Sequence, residues 1–154
     1  MNYLIRRLGM SEIDEALSLV WEVFLEFEAP DYPEEGIRTF ETTIIKSVDF
    51  KNRILSGDQL MYGTFHDKKL IGVLSISISN HISLLFVNKD YHRKGVATSL
   101  FKNLLNELKK NEVKKITLHS SPYGVPFYYK IGFKDVAAEQ VRDGMSYTPM
   151  EYLV

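Results

Sequence analysis

Val87-Asn88-Lys89-Asp90-Tyr91-His92-Arg93-Lys94-Gly95-Val96-Ala97-Thr98-Ser99-Leu100 decides the fold of this chain. The stretch before it, His81–Val87, ends in Ile82-Ser83-Leu84-Leu85-Phe86-Val87. That near-continuous apolar run predicts a central strand buried on both faces. After it, Ala97, Leu100, Phe101, Leu104, Leu105 and Leu108 recur at helical spacing, and Lys109 and Lys110 in the last turn suit the helix dipole. A further strand follows over residues 116–119. Strand, crossover helix and strand in this order imply a parallel pair at the sheet centre. Gly95 lets backbone come close to a ligand. Free N–H groups from about Arg93 to Ala97 are expected to converge at the positive end of the helix dipole, where phosphate oxygens bind. Arg93 and Lys94 add two cationic side chains. Neither a Walker A loop nor a G-x-G-x-x-G fingerprint is present.

Working outward, residues 3–7 predict a first strand. Ser11, with Asp14 three residues on, predicts a helix N-cap. Ile13, Ala16, Leu17, Val20, Phe24 and Phe27 predict one helix that Ala29-Pro30-Asp31-Tyr32-Pro33 breaks. A second helix is expected over residues 35–46, and a short third piece ending near Ser56-Gly57. Strands at 59–65 and 70–79 are joined by the polar turn His66-Asp67-Lys68-Lys69. A short helix over 125–130 with Gly132 as its C-cap, then strands at 133–137 and Met145–Leu153, complete the pattern. The class is α/β with a mixed sheet.

The 154 residues predict one domain, 1–154, with 45% apolar and 25% charged residues. Lys plus Arg is 19 against 20 for Asp plus Glu, a balance that argues against a nucleic-acid or membrane partner. The absence of cysteine excludes disulfides, cysteine zinc sites and cysteine nucleophiles. His66, His81, His92 and His119 lack close ligand spacing, so no metal is expected. No apolar run reaches the ~20 residues of a membrane helix, and no signal-peptide pattern opens the chain, so a cytoplasmic location is expected.

The loop His92-Arg93-Lys94-Gly95-Val96-Ala97 resembles the phosphate loop of the GNAT superfamily, Gln/Arg-x-x-Gly-x-Gly/Ala. It departs at the first position, where His92 replaces Gln or Arg. A second block, Ser120-Ser121-Pro122-Tyr123-Gly124-Val125-Pro126-Phe127-Tyr128-Tyr129-Lys130-Ile131-Gly132-Phe133, is similar to the family's S-S-x-x-A-x-x-F-Y-x-K-x-G-F segment. The resemblance implies a single GNAT-like domain, with about seven strands, about four helices and two parallel central strands that splay apart.

It also implies acetyl-CoA, or another acyl-CoA, as co-substrate. Leu85, Phe86 and Val87 are expected to pair with the pantetheine arm. The pyrophosphate falls to His92, Arg93, Lys94, Gly95, Val96, Ala97, Thr98 and Ser99, with Phe127 and Lys130 beside the cofactor. Tyr128 matches the general-acid tyrosine by register, and Tyr129 is a weaker fallback. Candidate bases for the acceptor amine are Glu26, Glu28, His81 and His119. Phe27, Glu28, Tyr32, Tyr62 and Tyr147 are expected to line the acceptor pocket, whose acids suit a cationic amine. The expected activity is N-acetylation of a primary amine, in a small molecule or peptide, by direct attack in a ternary complex. Alternatives are a non-catalytic acyl-CoA-binding module on the same fold and a protein-lysine acetyltransferase. A homodimer is conceivable, because the terminal strand over 147–153 offers an edge.

Overall fold

Two-residue turns with both centres in the left-handed region build two of the hairpins. Asp67 and Lys68 (φ 49° and 68°) join β2 (Gln59–His66) to β3 (Lys69–Ser77), and Asp143 and Gly144 (φ 50° and 79°) join β7 (Gln140–Arg142) to β8 (Met145–Leu153). Such turns match the right-handed twist of the strands they connect. The remaining strands are β1 (Leu4–Arg7), β4 (His81–Val87), β5 (Lys115–Ser120) and β6 (Lys134–Asp135). The computed structural model describes residues 2–154. Its strands run in the order β1-β2-β3-β4-β5-β8-β6, with β7 added to β8.

The β4–β5 pair is parallel and short. His81 faces Thr117 and Ile82 faces Leu118, and there the pairing ends. The cause lies on the other flank of β4. Against β3, Ser75 opposes Leu84 while Ile76 opposes Ile82, which leaves Ser83 as an extra, bulged residue. The bulge is pinned from beneath: buried Gln59 donates from Nε2 to Ser75 Oγ at 2.8 Å and to Ser83 Oγ at 3.0 Å. Beyond Ser83 the two central strands splay apart.

The bulge also fixes which side chains go to which core. Val73, Leu84 and Phe86 join the apolar cluster under α1 (Ile13–Val23), α2 (Glu34–Phe40) and α3 (Val48–Ser56). Leu74, Ile76, Ile82 and Val87 join the cluster under α4 (Val96–Lys110), where Leu100, Phe101 and Leu104 are buried. The last helix, α5 (Val125–Ile131), ends at Gly132 (φ 112°) as expected.

Several expectations change. Ser11 is not the N-cap. Gly9 caps a 3-10 turn over Met10–Glu12 that leads into α1, whose own N-cap is Glu12; Glu12 accepts from Gly9 N at 2.9 Å while Arg6 grips the same carboxylate at 2.9 and 2.7 Å. The first helix keeps α geometry only to Val23, then widens into a π-turn over Phe24–Glu28. The second keeps it only to Phe40, then does the same over Glu41–Ile45. The strand expected over 133–137 shrinks to Lys134–Asp135. β4 is not buried throughout: Ser83 and Leu85 are half-exposed, because the splay opens a cleft beside them. The terminal strand offers no edge for a dimer, since β5 flanks it on one side and β6 and β7 pair with it on the other. No helix among the described residues is long and apolar enough to cross a membrane.

Replacing Gln59 by Leu keeps the volume and strips the donor from the buried Ser75 hydroxyl and the half-exposed Ser83 hydroxyl. The expected cost is about 2 kcal/mol, read from the urea midpoint. An unchanged midpoint would show that the bulge does not need this amide.

Candidate functional site

The splay opens a cleft of about 1220 Å³ that runs from the start of α4 across to the α1/α2 face of the sheet. At the α4 end, Arg93 (φ 62°) and Gly95 (φ 80°) take left-handed backbone, the kind of bend that sets neighbouring N–H groups on one side of the chain. Gly95 is the N-cap and offers no side-chain cap to the helix. Ser99 N bonds back to Gly95 O at 2.9 Å. No backbone carbonyl of the described residues accepts from the N–H groups of Arg93, Lys94, Gly95, Val96, Ala97 or Thr98. A Cβ placed on Gly95 would meet nothing within 4 Å, so it is left-handed geometry, rather than crowding by protein, that calls for glycine here. Unbonded donors at a helix N-terminus, flanked by exposed Arg93, suit the oxygens of a pyrophosphate.

His92 behaves differently from the family's Gln or Arg. Its Nε2 donates to Val87 O at 2.7 Å, and its ring packs 4.7 Å from Phe27. The side chain therefore ties the loop to the end of β4 instead of reaching outward. Lys94 leans over the Tyr91 ring at 5.5 Å and Ser99 is half-buried in the helix, and neither lines the cleft. Leu85, Phe86, Val87, Arg93, Val96, Ala97, Thr98, Phe127 and Lys130 all do.

The vertex of the splay gathers the titratable groups. The π-turn carries Glu28 into the cleft, where burial pushes its carboxyl up to about 7; the Ser121 hydroxyl opposes that shift and Asp31 adds to it. Tyr128, on α5, also lines the cleft. Burial lifts its phenol above the usual range and the Glu28 charge lifts it further, so the hydroxyl keeps its proton. His81 and His119 project from adjacent central strands with ring centroids 4.8 Å apart. Desolvation lowers both, and like-charge repulsion lowers them further, since His119 opposes protonation of His81 and Arg142 opposes that of His119. His81 Nδ1 lies 2.8 Å from Thr117 Oγ1, and Tyr147 stacks on His119 at 4.5 Å.

Four further expected site residues fall elsewhere. Tyr62 packs on the α4 side of the sheet between Arg7 and Glu107, away from the cleft. Phe27 stands behind the wall, between His92 and Tyr123. Glu26 is exposed and pairs with Lys89 at 3.4 Å. Tyr129 OH donates to the Asp135 carboxylate at 2.7 Å on the outside of the molecule. Tyr32 and Tyr147 line the cleft as expected, and Ser121, Thr39, Arg142 and Asp143 line it without having been expected. The Asp143-Gly144 pair was the available signal, because it marks the turn that folds Arg142 back over the site.

The chain matches the model of the acetyltransferase (GNAT) domain over residues 28–154. It is 26% identical to the PaiA N-acetyltransferase of Thermoplasma acidophilum, whose structure is a complex with coenzyme A; both chains are covered in full at a TM-score of 0.79. A GCN5-related N-acetyltransferase structure from Rhodopseudomonas palustris superposes at a TM-score of 0.83 over 100% of this chain and 97% of that one. At 18% identity that likeness is one of fold alone. Over 71 residues the chain is 35% identical to the uncharacterized N-acetyltransferase YafP of Escherichia coli strain K12, a match spanning 46% of this chain and 43% of that relative.

Glu28 yields a stability prediction whose sign is fixed. Its carboxyl rises from 4.5 to about 7 on folding, so the fold favours the protonated form and loses stability as pH climbs through that interval. Glu28→Gln carries no charge to bury. Its melting temperature is expected to match wild type near pH 4.5 and to exceed it by roughly 3 °C or more at pH 8. A difference that does not change with pH would contradict the buried carboxyl.

Proposed function

The chain belongs to the GNAT acetyltransferase family, and from that premise we propose that it transfers an acetyl group from acetyl-CoA to a primary amine by direct attack in a ternary complex. The observation that carries this reading is the convergence of two features in one cleft: a run of unbonded N–H groups at the start of α4, and Glu28 with Tyr128 at the vertex. The loop from Arg93 to Thr98 holds the pyrophosphate, and the free flank of β4 at Leu85, Phe86 and Val87 receives the pantetheine amides as an added strand does. The coenzyme A bound by the Thermoplasma relative supports this assignment.

Glu28 is the group we assign as proton acceptor for the incoming amine. A carboxyl near 7 is partly ionised at neutral pH and basic enough to take a proton in the transition state. The amine nitrogen then bonds to the thioester carbon, the C–S bond breaks, and the electron pair leaves on sulfur. Tyr128 faces that sulfur as a hydrogen-bond donor. Its raised phenol is a weaker acid than a thiol of pKa ~8.5, so it does not hand over a proton unaided. The proton collected by Glu28 refills Tyr128 as the thiolate is protonated, which balances the cycle. The neutral His81–His119 pair favours a second acceptor route through the same vertex. With no cysteine in the chain, an acyl-cysteine intermediate is excluded.

Incubation with acetyl-CoA and a panel of amines is expected to release free thiol in step with acetylated product. Binding of coenzyme A without thiol release from any amine would favour the non-catalytic module. Tyr128→Phe is expected to lose about 10²-fold in kcat with coenzyme A affinity unchanged. An unaltered kcat would remove Tyr128 from the mechanism.

A further inference from the structure

The α1/α2 side of the cleft, where the acceptor enters under the reading above, is bounded by two segments far apart in sequence. One is the start of the second helix with the loop before it. The other is the β7–β8 hairpin. Thr39 Oγ1 lies 2.7 Å from Asp143 O and 2.9 Å from Glu35 O, so its one hydrogen is shared with the seam, and Tyr32 OH donates to Ser146 O at 3.3 Å. Thr39, Asp143, Tyr32 and Ser146 all line the cleft. Between the two bonds the backbones meet directly at Gly36 and Gly144. A Cβ on Gly36 would fall on Gly144 O and lie 2.8 Å from Gly144 C, while one on Gly144 would lie 2.9 Å from Glu35 Cβ. Gly144 also has a φ of 79°, which disfavours any side chain there. Neither position tolerates a larger residue without parting the seam.

We propose that this glycine clasp closes the acceptor end of the cleft, so that the acceptor is a free small amine and not a lysine within a polypeptide. The inference rests on the acetyl-transfer reading for the identity of that end. Its physical basis is the seam itself. An internal lysine must reach the vertex while the chain on both sides of it runs out along an open groove. Here that side of the groove is bridged by backbone-to-backbone contact, a hydroxyl bond and a phenol bond, so a polypeptide has no exit between the two segments. A small amine fits wholly beneath the bridge, with its nitrogen toward Glu28. The seam also makes Gly36 and Thr39 specificity determinants, although neither touches the reacting atoms.

The test compares small amines (a linear diamine, a free amino acid and an aromatic amine) with a lysine-bearing peptide whose N-terminus is blocked. Wild type is expected to favour its best small amine over the peptide by at least about 10²-fold in kcat/KM. Gly36→Ala, which wedges the seam open, is expected to narrow that ratio about tenfold while coenzyme A affinity stays put. Thr39→Val removes the hydroxyl shared between Asp143 O and Glu35 O and leaves the glycine contact in place; it should shift the ratio the same way by less, which guards against misfolding of the glycine variant. Peptide turnover by wild type equal to that of the amines, or ratios unmoved in both variants, would overturn the clasp. Should coenzyme A bind and no amine react, the transfer reading fails instead. Hydrogen exchange across residues 140–147 then decides the clasp: it is expected to be slow in wild type and faster in Gly36→Ala, and equal rates would overturn it.

Discussion

Strand β4 must pair with β5 at one end and release it at the other, and the rest of the molecule follows from that constraint. Two rungs hold the parallel pair, and the Ser83 bulge ends it. A regular β4 would have zipped fully onto β5 and left no cleft. The buried amide of Gln59, bonded to Ser75 and Ser83, keeps the irregularity in place. Both amide hydrogens find a hydroxyl, while the buried Oε1 of the same side chain has no partner. The bulge also redirects Leu84 and Phe86 to the α1–α3 core while Ile82 stays in the α4 core, so the opening is locked on both faces.

The cleft that results is electrostatically divided. Its α4 end presents backbone donors and arginine, which suit an anion. Its vertex presents groups that hold or lack a proton near neutral pH: a carboxyl at about 7, a phenol that stays protonated, and two histidines whose titration is pushed down. The separation suits the proposed division of labour, with an anion at one end and proton movement at the other. His92 links them mechanically, since it bonds to the end of β4 and packs on Phe27, the residue before Glu28.

Much of this was legible in the sequence, and the exceptions have physical reasons. The loop from His92 to Ala97, the amphipathic helix after it and the Tyr128 register all lie in contiguous segments, so local pattern was enough. The wide turn that aims Glu28 was not legible, because it begins at Phe24, whose ring stacks on the distant Phe40, and residue spacing does not announce that contact. Tyr62 alternates correctly with its neighbours, but strand periodicity does not say which face looks onto the cleft. The Gly36–Gly144 contact joins residues more than a hundred positions apart, and nothing in either local stretch announces the other. The β7 strand is only three residues long and exposed, so it carries no apolar pattern; the Asp143-Gly144 turn was its one trace.

The central claim is that the unbonded N–H groups opening α4 grip the pyrophosphate. Backbone amide NMR of the ¹⁵N-labelled protein, titrated with coenzyme A, tests it most directly. The account predicts saturable shifts that are largest at Arg93 through Thr98, with a second set at Leu85 through Val87. Saturable binding whose shifts lie elsewhere, or no saturable binding by the folded protein, would contradict it.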